Sequence, residues 1–264
     1  MALARRCRAV LFDLDDTLVP TSRIDRAAIL NAATLALAST EAAAQACAQK
    51  FAQLLKEKPF PPETSGHNVT SWRQLLWERA LRGGGEDHAE PSVSPAAQLA
   101  HDTWCSERLT NFRFSDDIVA MVQRLQTAGY KTGLLTNGHA DVQRAKTAAC
   151  DAGKLFGDAC VIVAGEYPEQ KPHPSIFRVA CAALGEPESA TVMVGDSYAA
   201  DIAGGINSNL LATVWIRPEP KDGDLSSGGS LMHGHLAAVP SGELAPTFTV
   251  ETVLQVEACL EKLG

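Results

Sequence analysis

No stretch of this sequence approaches the roughly 18 consecutive apolar residues that a membrane-spanning helix needs. That argues against an ion pump or any other helical membrane protein. Basic residues are scarce: 23 Lys and Arg stand against 31 Asp and Glu, a net charge of −8. A general nucleic-acid or anionic-membrane binder would normally be basic, and an anionic substrate would need a local positive site. No Cys-x-x-Cys pair occurs, and the seven cysteines are an odd number. A zinc site or a disulfide framework is therefore disfavoured, and buried free thiols in a reducing compartment are expected. There are no internal repeats. Arg5, Arg6 and Arg8 precede a core strand beginning near Ala9, which leaves no room for a cleavable segment, so a cytoplasmic location is expected.

What is present is a 264-residue chain with 45% hydrophobic and 20% charged residues, the profile of a soluble globular protein with one large or two modest domains. Its focus is Ala9-Val-Leu-Phe-Asp-Leu-Asp-Asp-Thr-Leu18. Ala9 to Phe12 reads as a short buried strand. Asp13, Asp15, Asp16 and Thr17 then arrive together, a run that no buried strand carries without a reason. Residues two apart on an extended backbone point the same way, so Asp13 and Asp15 are expected to share a pocket. Two close carboxylates repel unless a cation intervenes, and Mg²⁺, an ion that prefers oxygen ligands, suits them. A solvated turn with an Asp N-cap is the alternative for this stretch taken alone.

Beyond it, helix formers and helical spacing dominate from 23 to 55, 69 to 81 and 96 to 109, with Pro59, Pro61 and Pro62 and the Gly83-Gly-Gly85 loop as breaks. After residue 115 the pattern changes. Helices are predicted over 116–128, 140–150, 174–184 and 198–207, and strands over 130–136, 160–163, 191–194 and 211–216. Such alternation implies right-handed crossovers and a parallel, Rossmann-like sheet covered by helices on both faces. The first strand must join that sheet. The fold expected is therefore α/β, with a core of residues 1–19 and 115–264 and an inserted helical domain of residues 20–114. A Pro, Gly and Ser-rich stretch over 217–246 reads as a long loop, and 250–263 as a closing helix.

Three more strands should end in reactive groups, where parallel sheets collect them. Gly133-Leu-Leu-Thr-Asn-Gly138 offers the Thr136 hydroxyl, the Asn137 amide and the backbone near Gly138 for phosphate oxygens. Lys171 follows in Gln170-Lys-Pro-His-Pro174. Asp196 ends Val192-Met-Val-Gly-Asp196, and Asp201 lies five residues further on. Each is commonplace alone; the ordered set is not. Asp-x-Asp-x-Thr, then Thr-Asn, Lys-Pro and Gly-Asp-x-x-x-x-Asp resembles the haloacid dehalogenase superfamily, over residues 8–13 and about 115–216. The helical block sits where that family places its cap.

The resemblance implies a Mg²⁺-dependent phosphatase. Asp13 would be the nucleophile and form an aspartyl-phosphate; Asp15 would be the general acid and base; Lys171 would offset negative charge. Thr136, Asn137, Gly138 and Lys171 would bind phosphate. Asp13, Asp15 (through its backbone carbonyl), Asp196 and Asp201 would serve the metal, Asp201 through a water or by orienting Lys171. Asp15 argues against a dehalogenase proper, which lacks that residue; a sugar phosphomutase shares the motifs. A tighter resemblance, to the branch of the family acting on N-acylneuraminate 9-phosphate, runs through 71–81, 104–109, 134–138, 171–177, 192–196 and 201–216. It implies a small phosphorylated sugar acid as substrate, and Arg73 and Arg108 of the cap are the candidates to meet its carboxylate. Linkers at 19–22 and 111–115 are the expected hinges. A phosphatase or mutase for another sugar phosphate remains an alternative, as does a non-catalytic binding protein. Gly204-Gly205 within a helix costs about 1 kcal/mol per residue against Ala, so close backbone packing is expected there.

Overall fold

A computed structural model describes residues 6–83, 92–217 and 242–264. The chain divides into two compact units, residues 1–20 with 113–264, and Thr21–Phe112.

Among the described residues, the first unit is built on six strands: β1 (Ala9–Phe12), β2 (Lys131–Thr136), β3 (Val161–Val163), β4 (Thr191–Gly195), β5 (Ala212–Ile216) and β6 (Phe248–Val250). All pairings are parallel, in the order β3-β2-β1-β4-β5-β6. Parallel strands are covered on both faces, so their sequences read as continuous apolar runs rather than alternating ones. Ala9, Val10, Leu11 and Phe12 are all fully buried. Phe12 lies level with Leu134 on one side and Val194 on the other, so β2 runs two residues and β4 one residue past the end of β1. The order of strands reverses beside β1, the kind of switch point at which open α/β sheets carry their sites.

Among the described residues, six helices accompany the strands of this unit: α5 (Asp116–Thr127), α6 (Ala140–Ala149), α7 (Ala152–Phe156), α8 (Pro174–Leu184), α9 (Gly204–Asn207) and α10 (Val256–Glu261). Pro174 occupies the first turn of α8 and Gly185, in the left-handed region, ends it. A π-helical turn, Tyr198–Ala203, runs into α9. A Cβ on Gly204 would stand 2.9 Å from the Phe177 ring and from Pro172 Cα, and one on Gly205 would stand 2.9 Å from Thr213 Cγ2. The paired glycines are thus a close-packing device.

The chain's end departs from the single closing helix expected over 250–263. Phe248–Val250 forms an edge strand on β5, and Thr252 then caps a short 3₁₀ turn leading into α10. Three half-exposed residues carry too little pattern to announce a strand. Most of the 217–246 loop, residues 218–241, and most of the 83–95 loop, residues 84–91, lie outside the described residues.

The second unit is helical: α1 (Thr21–Leu37), α2 (Glu41–Glu57), α3 (Val69–Leu81) and α4 (Pro95–Asn111). Thr40, Asn68 and Ser94 cap α2, α3 and α4 through their side chains. Its core includes Ile29, Phe51, Leu75, Leu76, Trp77 and Trp104. Phe51 stacks on Trp77 at 3.8 Å between ring centroids and meets Trp104 edge-on at 5.1 Å. All seven cysteines are free, and five are buried. Among the described residues no helix is long and apolar enough to cross a membrane.

Candidate active site

The carboxyl ends of β1 and β4, together with the loop bearing Lys171, assemble a buried charged cluster. Asp13 follows β1 directly, and its N–H donates to Val194 O at 2.9 Å, which extends the β1–β4 ladder by one residue. Lys171 Nζ donates to Asp13 Oδ1 at 2.6 Å, to Asp201 Oδ1 at 2.7 Å and to Leu135 O at 2.8 Å. All three ammonium donors therefore have acceptors. Asp201 sits fully buried in the π-helical turn, and its Oδ2 accepts from the Ser197 N–H at 3.0 Å. A side chain on Gly195 would overlap that carboxylate, which explains glycine there. Asp196 lies beside them. Its Oδ1 accepts from Thr17 Oγ1 at 3.4 Å and its backbone carbonyl from Trp215 Nε1 at 2.9 Å. Asp196 Oδ2 is buried with no hydrogen-bond partner among the described residues.

Three carboxylates thus surround one ammonium in a buried site. Burial, only partly offset by Lys171, pushes Asp13 up to about 7, with Asp201 and Asp15 adding to the rise. Burial again, then the charges of Asp13 and Asp201, pushes Asp196 up to about 9. Burial would lower the Lys171 ammonium, but Asp13 and Asp201 outweigh it and hold it above its ordinary value.

Asp15 stands apart from this cluster. Asp15 and Val19 form an isolated parallel β-bridge; Asp16 between them adopts a left-handed conformation (φ 58°), and its N–H donates to Val19 O. The Asp15 carboxylate accepts from Lys146 Nζ at 2.8 Å and from Gln143 Nε2 at 2.9 Å, both from α6.

The tip of β2 supplies the expected phosphate-binding groups, each already engaged. Thr136 Oγ1, fully buried, accepts from Gln143 Nε2 at 2.5 Å. The Asn137 side chain bridges the Lys171 backbone, donating to its carbonyl at 2.7 Å and accepting from its N–H at 2.9 Å. Its amide is thus a brace for the lysine loop. The Gly138 N–H donates to Gln170 Oε1 at 2.8 Å.

In the helical unit, Arg73 and Arg108 are buried rather than on the surface, at 7% and 5% exposure. Both guanidinium groups lie over Trp104, at 5.3 and 4.4 Å from its ring centroid. Arg108 Nη1 stands 3.8 Å from Asp25 Oδ1, which also accepts from Trp104 Nε1 at 2.9 Å. The Nε of each arginine is buried without a partner among the described residues. Burial and then the Arg108 charge lower Arg73 to about 10.

Residues 7–209 match the family model of the haloacid dehalogenase-like hydrolases. The chain belongs to this family. It is 35% identical to N-acylneuraminate-9-phosphatase of Rattus norvegicus, over 98% of this chain and 95% of the relative. It is 34% identical to the protein of that name in Homo sapiens, again over 98% and 95%. These likenesses set the chain among the phosphatases of the haloacid dehalogenase family, hydrolases of phosphoric monoesters. The fold agrees. The hydrolase YfnB of Bacillus subtilis, whose crystal structure is bound to magnesium, superposes with a TM-score of 0.62 at 19% identity, covering 97% of this chain and 99% of that one.

The cluster suits the divalent cation that haloacid dehalogenase-like phosphatases generally use. Oxygens of Asp13, Asp196 and Asp201 lie within 4.8 Å of one another, all are hard donors, and one buried oxygen of Asp196 has no other partner. Gln143 and Lys146 are absent from the motifs. The sequence offers only their spacing, three apart on the helix after the strand bearing Thr136; the burial that sets them apart shows in the structure.

Proposed function

We propose that this protein hydrolyses N-acylneuraminate 9-phosphate to free N-acylneuraminate and phosphate, through an aspartyl-phosphate on Asp13 and with Mg²⁺. The observation that carries the chemistry is the three-way contact of Lys171 with Asp13, Asp201 and Leu135 beside an unpartnered Asp196 oxygen. The substrate reading rests on the near full-length likeness to N-acylneuraminate-9-phosphatases.

Asp13 and Asp196 would hold the cation, with the Asp15 carbonyl as a further ligand and Asp201 acting through water or through Lys171. When bound, Mg²⁺ supplies positive charge against the phosphate dianion and the carboxylates. Lys171 keeps one oxygen of Asp13 fixed and leaves the other to attack phosphorus. As the Asp13 O–P bond forms, the ester P–O bond breaks, and Asp15, having taken up a proton from solvent before the step, gives it to the leaving alkoxide. Water then attacks phosphorus and yields its proton to Asp15, the Asp13–phosphorus bond breaks, and inorganic phosphate leaves. The Thr136 hydroxyl and the backbone at Asn137 and Gly138 bind the phosphate oxygens, which requires Gly138 N–H to exchange Gln170 for phosphate.

The helical unit serves as the cap, with its linkers at 19–22 and 111–115 as hinges, and Arg73 and Arg108 meet the sugar carboxylate. Two buried guanidinium groups with unpartnered Nε atoms suit a planar anion better than a purely structural role does. Seven free thiols suit a reducing compartment such as the cytoplasm.

A panel of sugar phosphates assayed for phosphate release with Mg²⁺ and with EDTA tests the reading. Mg²⁺-dependent release from N-acylneuraminate 9-phosphate above the other esters is expected. Release from other esters but not this one would discard the substrate while keeping the chemistry. A folded protein that releases phosphate from no ester would discard both.

A further inference from the structure

The Asp15 carboxylate has both oxygens held by one face of α6, and the described mechanism assigns that face no part. Gln143 and Lys146 lie one helical turn apart and are buried, at 2% and 7% exposure. Lys146 Nζ takes Asp15 Oδ1 at 2.8 Å. Gln143 Nε2 is shared, donating to Asp15 Oδ2 at 2.9 Å and to Thr136 Oγ1 at 2.5 Å. Gln143 also packs against the Gly138 turn: a Cβ added to Gly138 would stand 3.2 Å from Gln143 Cγ. One side chain therefore links the acid–base residue, the phosphate-binding hydroxyl and the phosphate-binding turn.

A buried lysine and glutamine are a poor choice for packing alone, since both lose hydration and side-chain freedom that apolar residues would not. Two features of the site call for them. Asp15 sits in a loop between Asp13 and left-handed Asp16, and the printed hydrogen bonds to its carboxylate come from α6. Left free, its carboxylate could turn toward Asp13 and Asp196, which would hold the cation. Thr136, in turn, accepts a hydrogen bond from Gln143, so its hydroxyl proton remains available to donate to a phosphate oxygen.

We propose that Gln143 and Lys146 are positioning residues that hold the Asp15 carboxylate for proton transfer, and that Gln143 ties its place to the Thr136 hydroxyl. This rests on the phosphatase reading above. In the resting arrangement, both Asp15 oxygens face α6. Lys146 keeps the carboxylate out of the cation cluster, while Gln143 joins the two ends of the reaction, the bound phosphate and the leaving oxygen.

The test compares kcat/KM for two esters, a primary alkyl phosphate and p-nitrophenyl phosphate, with Mg²⁺ present. The alkyl leaving group needs a proton from Asp15 and the nitrophenolate does not, and kcat/KM reports only the steps through the first P–O cleavage. Lys146→Met and Gln143→Leu should each lose at least about tenfold more on the alkyl ester than on the aryl ester, a part of the 10²–10⁴-fold worth of a general acid. Gln143→Leu should also raise KM on both esters through Thr136. Lys146→Arg, which keeps an ion pair, should recover most of the alkyl activity. Equal losses on the two esters, or none, in variants with native circular dichroism would overturn the proposal. So would a failure of both to fold, since the clasp would then be structural. If wild type releases phosphate from neither ester, or Asp13→Asn releases it as well, the phosphatase reading falls instead.

Discussion

The two units bury charge in opposite ways. In the α/β unit, Lys171 has an acceptor for each of its donors, and the surplus is negative: three carboxylates, one with an unpartnered oxygen. In the helical unit the surplus is positive. Two guanidinium groups share one ring, one nearby carboxylate, and two unpartnered Nε atoms. Each imbalance carries a cost, because an uncompensated buried charge is destabilising, and in the first unit burial and the neighbouring carboxylates raise Asp13 and Asp196 toward their protonated forms. On the reading proposed above, the first site would take a cation and the second an anion, and each can be tested by itself.

The comparison can be broken from either side. The largest effect should come from Asp13→Asn, which removes the attacking oxygenand should reduce phosphate release to background in a folded protein with Mg²⁺ present. Lys171→Met should follow. It leaves Asp13 and Asp201 facing each other without their cation, so loss of activity should accompany a fall in stability of about 3–5 kcal/mol in denaturant titration. An unchanged midpoint would show that the lysine is not the cluster's internal counter-charge.

On the helical side, Arg73→Met and Arg108→Met keep the stem on Trp104 and remove the charge. Each should lower kcat/KM on the sugar acid ester by about 10–100-fold, the worth of a charged hydrogen bond. The loss should exceed that on an ester without a carboxylate. Wild-type kcat/KM in both variants would remove the arginines from substrate binding.

Metal binding has a pH signature. Asp13 and Asp196 are raised from 3.8 to about 7 and about 9. Between about pH 4 and pH 9 the native state holds protons that the unfolded chain has released, so metal-free stability falls as pH rises through that window. A cation binds the deprotonated carboxylates and reverses the loss. The gain in Tm on adding Mg²⁺ should therefore be larger at pH 8 than at pH 6; an equal or smaller gain at pH 8 would contradict this. The smallest effect expected is that of Gly204→Ala. Helix propensity favours alanine by up to about 1 kcal/mol, but the new methyl meets the Phe177 ring and Pro172 Cα at 2.9 Å. Overpacking of this kind typically costs about 1–3 kcal/mol, so a net loss of stability is expected by thermal or denaturant melting.

Much of this was legible in the sequence because burial and chemistry leave strong local marks. The apolar run at Ala9–Phe12 announces a strand covered on both faces, and the acidic burst after it announces a site at that strand's end. Gly204-Gly205 announces close contact, because glycine inside a helix needs a reason. What was not legible depends on distant partners. β6 is three half-exposed residues that become a strand only by pairing with β5. The break between α1 and α2 turns on Ala38 in a left-handed conformation and on Thr40 as a cap, details inside a run of good helix formers. Two-residue spacing reveals neither the left-handed turn at Asp16 nor the hold that Lys146, 131 residues later, has on the Asp15 carboxylate. Arg73 and Arg108 were readable as charged, but not as buried over one tryptophan.

The central claim is that Asp13 carries the phosphoryl group. Rapid acid quench during turnover of N-acylneuraminate 9-phosphate with Mg²⁺, followed by peptide mass spectrometry, tests it directly. The account predicts a phosphoryl group on the peptide at Asp13, absent with EDTA and absent in Asp13→Asn. Turnover with no phosphorylated Asp13, together with activity surviving in Asp13→Asn, would contradict it.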